Sequence, residues 1–576
     1  MTTRKILIFV LSASFSAASL AAPGQSNSVP AAAALSLSIP DPPPATNAQS
    51  AGIEEIKAAA NRGVSDAMVQ LGLRYRQGLG VGKDDGEAVK WFLKASDAGN
   101  VEGLYRLGLM YQEGSGVTQD YAKSIHCLIK AAVGGSSNAA NSLGVAYQKG
   151  LGVPADYEEA KVWFRKAAAA GQTLGELNYG RMCKEASDVE TAFDLFQKAA
   201  DAGNGEAEYQ LGLLYKQGWG AAKDYAQAIH WWRKAAEGGH SQAAVELGIL
   251  YKNGLGAPVD NVEAVKWFGQ ASDAGNPDGQ VNLGIMYQMG LGVARDYQRA
   301  VQLFRQSAEA GNSDGQSRLG LMYEGGWGVT NDYKEAFKWF RKSADAGNSD
   351  AEYHLGFMYE HGLGVPQDFD KAARWFRLSA IAGHLDGECS YGVMYLKGWG
   401  ILQNFHEAAR WFRKAALAGN LNAGYNLGSL YYNGSGVTQD YTEAAKWFTK
   451  AADGGNLDAQ VDLALMYSDG LGVTRDIKES ARRLRIAAEG GNALGANDLG
   501  YMYQNGWGVE QDYNEAVKWY RKSADAGNSL AQANLAFMYQ GGLGVPKSQE
   551  EAVKWYRKAA AQGNQAATSA LAKLRQ

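Results

Sequence analysis

Two histidines, His354 and His361, are the residues whose types and spacing come closest to a metal-binding pair. Neutral imidazole is a common ligand of zinc and other transition metals. Both side chains fall on one face of a predicted helix, but a rise of about 1.5 Å per residue separates them by about 10 Å along it. One metal ion cannot bridge that distance without further ligands. We therefore predict surface histidines, with no metal site and no cofactor.

Paired glycines at Gly-x-Gly spacing are a second pattern that could do chemistry, because glycine-rich loops bind phosphate groups. Gly78 and Gly80 form one pair, and Gly362 and Gly364 form another. These pairs follow predicted helices rather than strands and recur in thirteen of fourteen similar units, so we interpret them as turns. The chain also lacks His-Glu-x-x-His, Walker and Ser-x-x-Lys motifs, and we predict that it is not an enzyme.

The elements that carry these residues belong to one unit that is written fourteen times. A clean copy runs from Asn312 to Gly347, and a period of this length is the signature of a solenoid. The glycine of its Leu-Gly-x-x-Tyr core, called the reference glycine below, recurs every 36 residues except for one step of 32 residues. The reference positions are Gly72, Gly108, Gly144, Gly180, Gly212, Gly248, Gly284, Gly320, Gly356, Gly392, Gly428, Ala464, Gly500 and Ala536.

Each unit is predicted to form two helices, called A and B below. Ala351, Leu355 and Tyr359 have the four-residue spacing of one buried stripe, which predicts helix A. Helix B begins after an Asp such as Asp332, and Glu335 three positions later indicates a capping box rather than a catalytic carboxylate pair. A Trp recurs at one register of helix B in ten of the fourteen units, which favours a packing ladder over a ligand-stacking site.

These motifs resemble the Sel-1-like repeat, a relative of the tetratricopeptide repeat. The matching elements are Ala-x-x-x-Leu-Gly-x-x-Tyr, Gly-x-Gly-Val, Asp-x-x-x-Ala-x-x-Trp, Lys-Ala-Ala and a closing Gly, over about residues 52–576. The resemblance implies an all-α fold, a right-handed α-solenoid superhelix of about fourteen helix-turn-helix repeats. It also implies a role as an adaptor or scaffold in protein complexes. Exported bacterial members often work in the cell envelope or in contact with a host.

The two ends of the chain differ from the repeats. Residues 1–21 combine Arg4 and Lys5 with an apolar run and small residues, which predicts a secretory signal peptide. Residues 22–51 are rich in Ala, Ser and Pro and predict a flexible tether. Residues 64–563 are predicted to hold the fourteen repeats, with capping helices at residues 52–63 and 564–576 that hide the open faces of the array.

Two local features add to this organisation. The unit around Gly180 lacks the Gly-x-Gly turn and four residues, so we expect a change of curvature near residues 181–188. Three cysteines are too few for a disulfide framework, and two of them replace large core residues of other units. We predict buried free thiols at Cys127, Cys183 and Cys389.

Charge and hydropathy limit the partners and the compartment. The 56 basic and 60 acidic residues are mixed along the chain, so no basic face for nucleic acid is predicted. No stretch after the signal peptide has the ~20 apolar residues of a membrane span. We expect an exported protein, periplasmic or secreted, with no integral membrane span in the mature chain. A single glycosylation sequon at Asn433 leaves a eukaryotic luminal adaptor as a further alternative.

One face of helix A, three residues before and one after the reference glycine, points away from the buried stripe. By the same resemblance, this face lines the concave groove. It is apolar and aromatic with a polar rim, which suits an extended or helical peptide. The alternative is that successive A helices bury the stripe between them. The groove candidates are Tyr105, Tyr209, Tyr353, Tyr425, Phe357, Tyr501, Arg106, Arg318, His354 and Asn426.

Tryptophans inside four A–B turns form a second candidate surface, either as exposed knobs that bind a partner or as packing within the turn. They are Trp219, Trp327, Trp399 and Trp507. Together these features predict an exported, non-enzymatic scaffold that binds a protein or peptide partner in the bacterial envelope or at a host interface. The alternative is a peptidoglycan- or glycan-binding protein, or an envelope hydrolase of a β-lactamase-like kind.

Overall fold

The structure, a computed structural model, describes residues 52–574. The predicted signal peptide at 1–21 and the predicted tether at 22–51 lie outside the described residues. The described chain contains thirty α-helices and no β-strand, and it divides after Ala310 into two compact units. We call residues 52–310 the N-terminal unit and residues 311–574 the C-terminal unit. Each is an all-α solenoid of successive helix pairs, which confirms the predicted fold class.

Fifteen helices form each unit. The N-terminal unit contains α1 (Ile53–Asn61), α2 (Ser65–Gln77), α3 (Asp85–Asp97), α4 (Val101–Glu113), α5 (Tyr121–Val133), α6 (Ser137–Lys149), α7 (Tyr157–Ala169), α8 (Thr173–Glu185), α9 (Val189–Asp201), α10 (Gly205–Gln217), α11 (Tyr225–Glu237), α12 (Ser241–Asn253), α13 (Asn261–Asp273), α14 (Pro277–Met289) and α15 (Tyr297–Glu309). The C-terminal unit contains α16 (Ser313–Gly325), α17 (Tyr333–Asp345), α18 (Ser349–His361), α19 (Phe369–Ile381), α20 (Leu385–Lys397), α21 (Phe405–Leu417), α22 (Leu421–Asn433), α23 (Tyr441–Asp453), α24 (Leu457–Asp469), α25 (Ile477–Glu489), α26 (Ala493–Asn505), α27 (Tyr513–Asp525), α28 (Ser529–Gly541), α29 (Gln549–Ala561) and α30 (Gln565–Leu574).

Helix B begins where the sequence predicts it. The side chain of Asp84 accepts a hydrogen bond of 2.9 Å from the backbone N–H of Glu87, which satisfies one unpaired amide of the first turn of α3. Asn404 and Ser548, which replace Asp in two repeats, cap α21 and α29 in the same way. The prediction that these residues are caps is therefore confirmed.

Helices A and B of one repeat are antiparallel and pack through the reference glycine. The N–H of Asp84 bonds to the carbonyl of Tyr75 at 2.8 Å beside the turn, while Gly72 faces Phe92 further along both helices. A Cβ added at Gly72 would lie 2.6 Å from Cε1 of Phe92, which is fully buried. The glycine therefore makes room for the aromatic ring of helix B, a role that the sequence analysis did not assign.

The second glycine of the turn lets the preceding repeat approach. Gly472 has a φ of +69°, and a Cβ there would lie 2.1 Å from the carbonyl oxygen of Tyr441, the first residue of α23. Gly470, the first glycine of the same turn, has a φ of +71° and meets only Arg475, at 3.2 Å. The Gly-x-Gly pairs are thus turn and packing elements, as predicted.

In the short repeat around Gly180, a three-residue connection replaces the Gly-x-Gly turn. α8 ends at Glu185, and α9 begins at Val189, so three residues connect them. Ser187 takes the left-handed conformation with a φ of +63°, which L side chains other than Asn and Asp rarely adopt. The N–H of Asp188 then bonds to the carbonyl of Cys183 at 2.8 Å and closes the turn.

The structure also tests the predictions made for the three cysteines and for the tryptophans of helix B. Cys127, Cys183 and Cys389 are all buried and free, which confirms the prediction. The tryptophans of helix B are buried or half-buried, and most have a lysine of the same helix over one face, as Lys94 lies 4.0 Å from the centre of Trp91. This arrangement is packing with a cation–π contribution rather than a ladder open to ligand.

Candidate partner-binding surface

Side chains on the predicted groove face of helix A connect neighbouring repeats. The Tyr425 hydroxyl donates a hydrogen bond of 3.0 Å to Oδ2 of Asp462. The Asn534 amide donates one of 3.0 Å to Oδ1 of Asn497. In each pair, a residue three before one reference position meets a residue two before the next, 37 positions away. We call these pairs inter-repeat ties. They fix the register of one helix A against the next.

Three of the predicted groove residues belong to this packing. Tyr105 and Tyr425 are each 4% exposed, and Asn426 is 5% exposed. Tyr105 bonds to Ser142 of the next helix A, and burial raises the pKa of its hydroxyl. These side chains stabilise the stacking of A helices and offer almost no surface to a partner, which is the alternative that the sequence analysis left open.

Tyr209 and Tyr353 are half-buried and lie against histidines of the following repeat. The ring of Tyr209 stacks on His240 with centroids 4.6 Å apart, and that of Tyr353 lies 5.1 Å from His384. Burial raises the pKa of both tyrosine hydroxyls. Each tyrosine therefore covers the start of the next helix A and keeps only part of its surface for another molecule.

His354 and Arg318 lie in a charged network inside the C-terminal unit. Nδ1 of His354 is 3.2 Å from Oε2 of Glu324, and its ring stacks on Phe340 with centroids 4.7 Å apart. Burial by itself would lower the pKa of His354, but the carboxylates of Glu324, Asp350 and Asp386 together raise it. Burial would raise the pKa of Asp350, but hydrogen bonding and the nearby His354 and Arg318 hold it well below its usual range. His354 is therefore a half-buried histidine with an acidic partner, not the surface histidine that was predicted.

The remaining polar candidates are held by local contacts. Nε of Arg106 pairs with Oε1 of Glu102 at 2.6 Å, one turn before it on α4. The ring of Phe357 lies 4.2 Å from that of His361, and both residues keep part of their surface exposed. Among the residues that the structure describes, no three His, Cys, Asp or Glu side chains are arranged to hold a metal ion.

The four turn tryptophans divide into two kinds. Trp399 stacks on Phe369 with centroids 5.0 Å apart, and Trp327 folds back onto Gly325, where a Cβ would lie 2.7 Å from the indole. Both are half-buried and pack within the turn region. Trp219 and Trp507 are 45% and 41% exposed, so these two retain the surface of a binding knob.

Three aromatic residues near the end of the array remain open to solvent. Tyr501 is 39% exposed and meets Trp507 edge to face, with ring centroids 5.4 Å apart. Phe537 occupies the position equivalent to Tyr501 in the next repeat and is 48% exposed. We call Tyr501, Trp507 and Phe537 the C-terminal aromatic surface. In this surface Tyr501, predicted as a groove residue, contacts Trp507, predicted as a residue of the A–B turn.

A buried acid adjoins this surface on the preceding repeat. Burial, together with the nearby carboxylates of Asp458 and Asp498, raises the pKa of Asp462 to about 7 despite the hydrogen bond from Tyr425. Asp498 lies on the same helix as Tyr501, three residues before it. Asp462 is not among the site residues predicted from the sequence, because the same position carries an acid in two other repeats, as Glu246 and Asp498, and gave no distinct signal.

The repeat motif and its helix pairs can now be compared with known proteins. The family model for the Sel1 repeat matches fourteen times, at residues 65–100, 101–136, 137–172, 174–204, 205–240, 241–276, 277–312, 313–348, 349–384, 385–420, 422–456, 457–492, 493–528 and 529–564. The chain belongs to the Sel1 repeat family. This Sel1 repeat protein gives no match in a comparison with curated protein sequences.

Solved structures of other Sel1 repeat proteins are similar to this one. The first is c5321, described as a protective antigen present in uropathogenic Escherichia coli strains and displaying an SLR fold. It is 31% identical, with 89% of this chain and 96% of that chain covered and a TM-score of 0.54. A Sel1 repeat protein from Oxalobacter formigenes is 33% identical over 54% of this chain and 89% of its own, with a TM-score of 0.42.

Membership of this family sets the general function. Sel1 and related tetratricopeptide-like repeats generally mediate protein–protein interactions, and scaffolds built from them are typically non-enzymatic. In the described part of the chain, no helix is both long and apolar enough to cross a membrane.

Proposed function

We propose that this Sel1 repeat protein is an exported, non-enzymatic scaffold that binds a protein partner through the C-terminal aromatic surface. The observation that carries the proposal is the exposure of Tyr501, Trp507 and Phe537 on adjacent repeats. The equivalent position of an earlier repeat, Leu109, is only 6% exposed. Large aromatic side chains left in water are typical of interaction sites, because their burial in a complex contributes strongly to affinity.

The neighbouring charges indicate the kind of segment that this surface would bind. Asp498 precedes Tyr501 by one helical turn, and Asp458 lies on the preceding helix A; both carboxylates act electrostatically on the buried Asp462 and are themselves only partly buried. A peptide with an apolar or aromatic side chain for the Tyr501–Trp507 pair and a basic side chain for the carboxylates would complement both features. Phe357, Tyr209, Tyr353, Arg106, Arg318 and Trp219 keep partial exposure and extend the proposal to further contacts along each unit.

The proposed location is the bacterial cell envelope, the periplasm or the surface that meets a host. It is supported by the signal-peptide pattern of residues 1–21. It is also supported by the likeness to an antigen of uropathogenic E. coli, which is 31% identical over most of both chains. An exported adaptor that assembles envelope proteins agrees with both observations.

The test is capture of partners by the mature chain, residues 22–576, from the envelope fraction of its own cells after chemical crosslinking. A variant with Y501A, W507A and F537A is compared with one carrying L402A and L417A. Leu402 and Leu417 are 89% and 68% exposed, and both lie in an earlier repeat, residues 385–420. We expect a partner that the leucine variant retains and the aromatic variant loses. Equal capture by both variants would exclude the aromatic surface as the binding site.

Glycan binding is a second candidate for the same residues, because an exposed Tyr–Trp pair can also stack on sugar rings. Sedimentation of the purified chain with isolated peptidoglycan separates the two functions. Binding that requires Tyr501 and Trp507 without any protein partner would favour the glycan-binding alternative. Protein capture without sedimentation would favour the scaffold.

A further inference from the structure

The residue that caps helix A also links it to the preceding repeat. In most repeats this residue is Asn. Oδ1 of Asn348 accepts from the N–H of Ala351 at 3.0 Å, and its Nδ2 donates to Oδ1 of Asp314 at 2.7 Å. Asn492 makes the same two bonds, both at 2.8 Å, with Gly495 and Asp458. One neutral side chain thus holds the start of a helix and a repeat junction together.

Histidine takes this position in two repeats, four repeats apart along the sequence. Nδ1 of His240 accepts from the N–H of Ala243 at 3.2 Å, and its Nε2 lies 3.2 Å from Oε2 of Glu206. Nδ1 of His384 accepts from the N–H of Gly387 at 3.1 Å, and its Nε2 lies 3.5 Å from Oδ1 of Asp350. A nitrogen that accepts a backbone N–H carries no proton, so both rings are neutral with the hydrogen on Nε2.

Charged neighbours surround the carboxylate of each junction. In the N-terminal unit, Glu206 of α10 also pairs with Arg181 of α8 at 2.9 Å and accepts from Gln210 at 2.9 Å. The ring of Tyr209 covers the face of His240. The charge of Glu206 is therefore already shared with a permanent cation, whereas the Ala243 N–H has Nδ1 of His240 as its side-chain partner.

The second junction repeats this arrangement in the C-terminal unit. Asp350 of α18 accepts from Ser317 of α16 at 3.0 Å and faces Arg318 and His354. Glu352 of α18 faces His384 electrostatically, and Tyr353 lies against its ring. The carboxylate is again shared among several donors and cations, while the Gly387 N–H points at Nδ1 of His384.

We propose that His240 and His384 make their two repeat junctions pH-sensitive, so that acidification opens the first turns of α12 and α20 while the Asn-capped junctions stay closed. Protonation adds a hydrogen to Nδ1, which then faces the hydrogen of the capped amide and cannot accept from it. The positive end of the helix also opposes an imidazolium at this place. Imidazole can take up a second proton in acid, whereas the Asn side chain has no titratable group.

Hydrogen exchange of the full chain at pH 7.5 and 5.5, corrected for intrinsic exchange rates, tests this device. The reporters are peptides that cover the first turns of α12 and α20, with those of α18 and α26 as Asn-capped references. We expect corrected exchange at the histidine junctions to be about fivefold faster at pH 5.5, the effect of losing one cap, and unchanged at the references. Equal changes at all four junctions, or greater protection at the histidine junctions in acid, would overturn the proposal.

The double variant H240N/H384N is the second measurement. Asn occupies the same position in neighbouring repeats, so the variant keeps a cap that the fold already uses. It should lose the acid-induced exchange at α12 and α20. Persistence of that exchange in the variant would show that other groups cause it and would equally overturn the proposal.

Discussion

The hydroxyl of Tyr425 donates a 3.0 Å hydrogen bond to the carboxylate of Asp462, which is held by the next helix A. This tie places a carboxyl group where the Asn497–Asn534 tie has two neutral amides. Burial, with a smaller contribution from the carboxylates of Asp458 and Asp498, raises the pKa of Asp462 from its usual 3.8 to about 7. Ionisation of the buried Asp462 carboxyl as pH rises therefore destabilises the folded state.

Replacing Asp462 by Asn should remove this pH dependence. The folded state keeps a proton that the unfolded state loses above about pH 4, so the free energy of unfolding of the native chain should fall as pH rises from 4 to 7. A pKa raised from 3.8 to about 7 corresponds to at most about 4 kcal/mol of unfolding free energy. We expect the free energy of unfolding of D462N, relative to that of the native chain, to be about 1–3 kcal/mol higher at pH 8 than at pH 4. Urea denaturation midpoints of both proteins from pH 4 to 8 measure this difference in unfolding free energy. The exposed control D469N should not change the slope; a similar effect there would contradict the prediction.

Glu206 should act in the opposite pH direction. Burial alone would raise the pKa of Glu206, but hydrogen bonds from His240 and Gln210 and the Arg181 guanidinium lower it to about 2. Its stabilising contribution is therefore complete above about pH 4.5 and is lost as pH falls toward 2. Because the side chain is 32% exposed, we expect E206Q to lower the free energy of unfolding by only about 1–2 kcal/mol at pH 7, with little difference near pH 2. Urea midpoints at the two pH values test this, with E237Q as an exposed control.

Replacing the reference glycine of an interior repeat by alanine should destabilise the protein. A Cβ at Gly320 would lie 2.7 Å from Cε1 of Phe340, so G320A should destabilise the C-terminal unit by about 1–3 kcal/mol through overpacking. Ala464 occupies the equivalent position opposite Leu484, which is smaller than Phe. The double variant G320A/F340L should therefore recover part of the loss in urea denaturation. An interior repeat is used because the last repeat already carries Ala536 opposite Tyr556. Additive effects of the two changes would contradict this account.

Ser187 should be a site where glycine stabilises the protein. Its φ of +63° is unfavourable for Ser and free of strain for Gly. We expect S187G to raise the free energy of unfolding of the N-terminal unit by about 0.5–1 kcal/mol, less the entropy that glycine adds to the unfolded chain. Thermal denaturation of S187G beside S187A tests this, because Ala keeps the strain. A melting temperature of S187G at or below that of S187A would contradict the explanation.

The sequence predicts best what depends on residues close together in the chain. The cap of Asp84 on Glu87, the Gly-x-Gly turns and the helix pairs follow from spacings of a few residues, and the structure confirms them. The candidate site depends on neighbours about 37 positions away. Tyr425 and Tyr501 both lie on the predicted groove face of helix A, yet Tyr425 is 4% exposed and Tyr501 39%. Which of them is covered depends on the side chains of the next helix A, and no local pattern reports those contacts.

The inter-repeat ties bear on how such an array can gain or lose units over time. A deletion or duplication of one whole 36-residue unit leaves every helix and turn of the remaining units intact. The ties differ from junction to junction, as the Tyr425–Asp462 and Asn497–Asn534 pairs show. Loss of residues 425–460 would bring Cys389 opposite Asp462 in place of Asn426 and leave a carboxylate without its tyrosine. A repeat can therefore be lost or gained without a buried mismatch only where the tie residues that become neighbours can pair with each other.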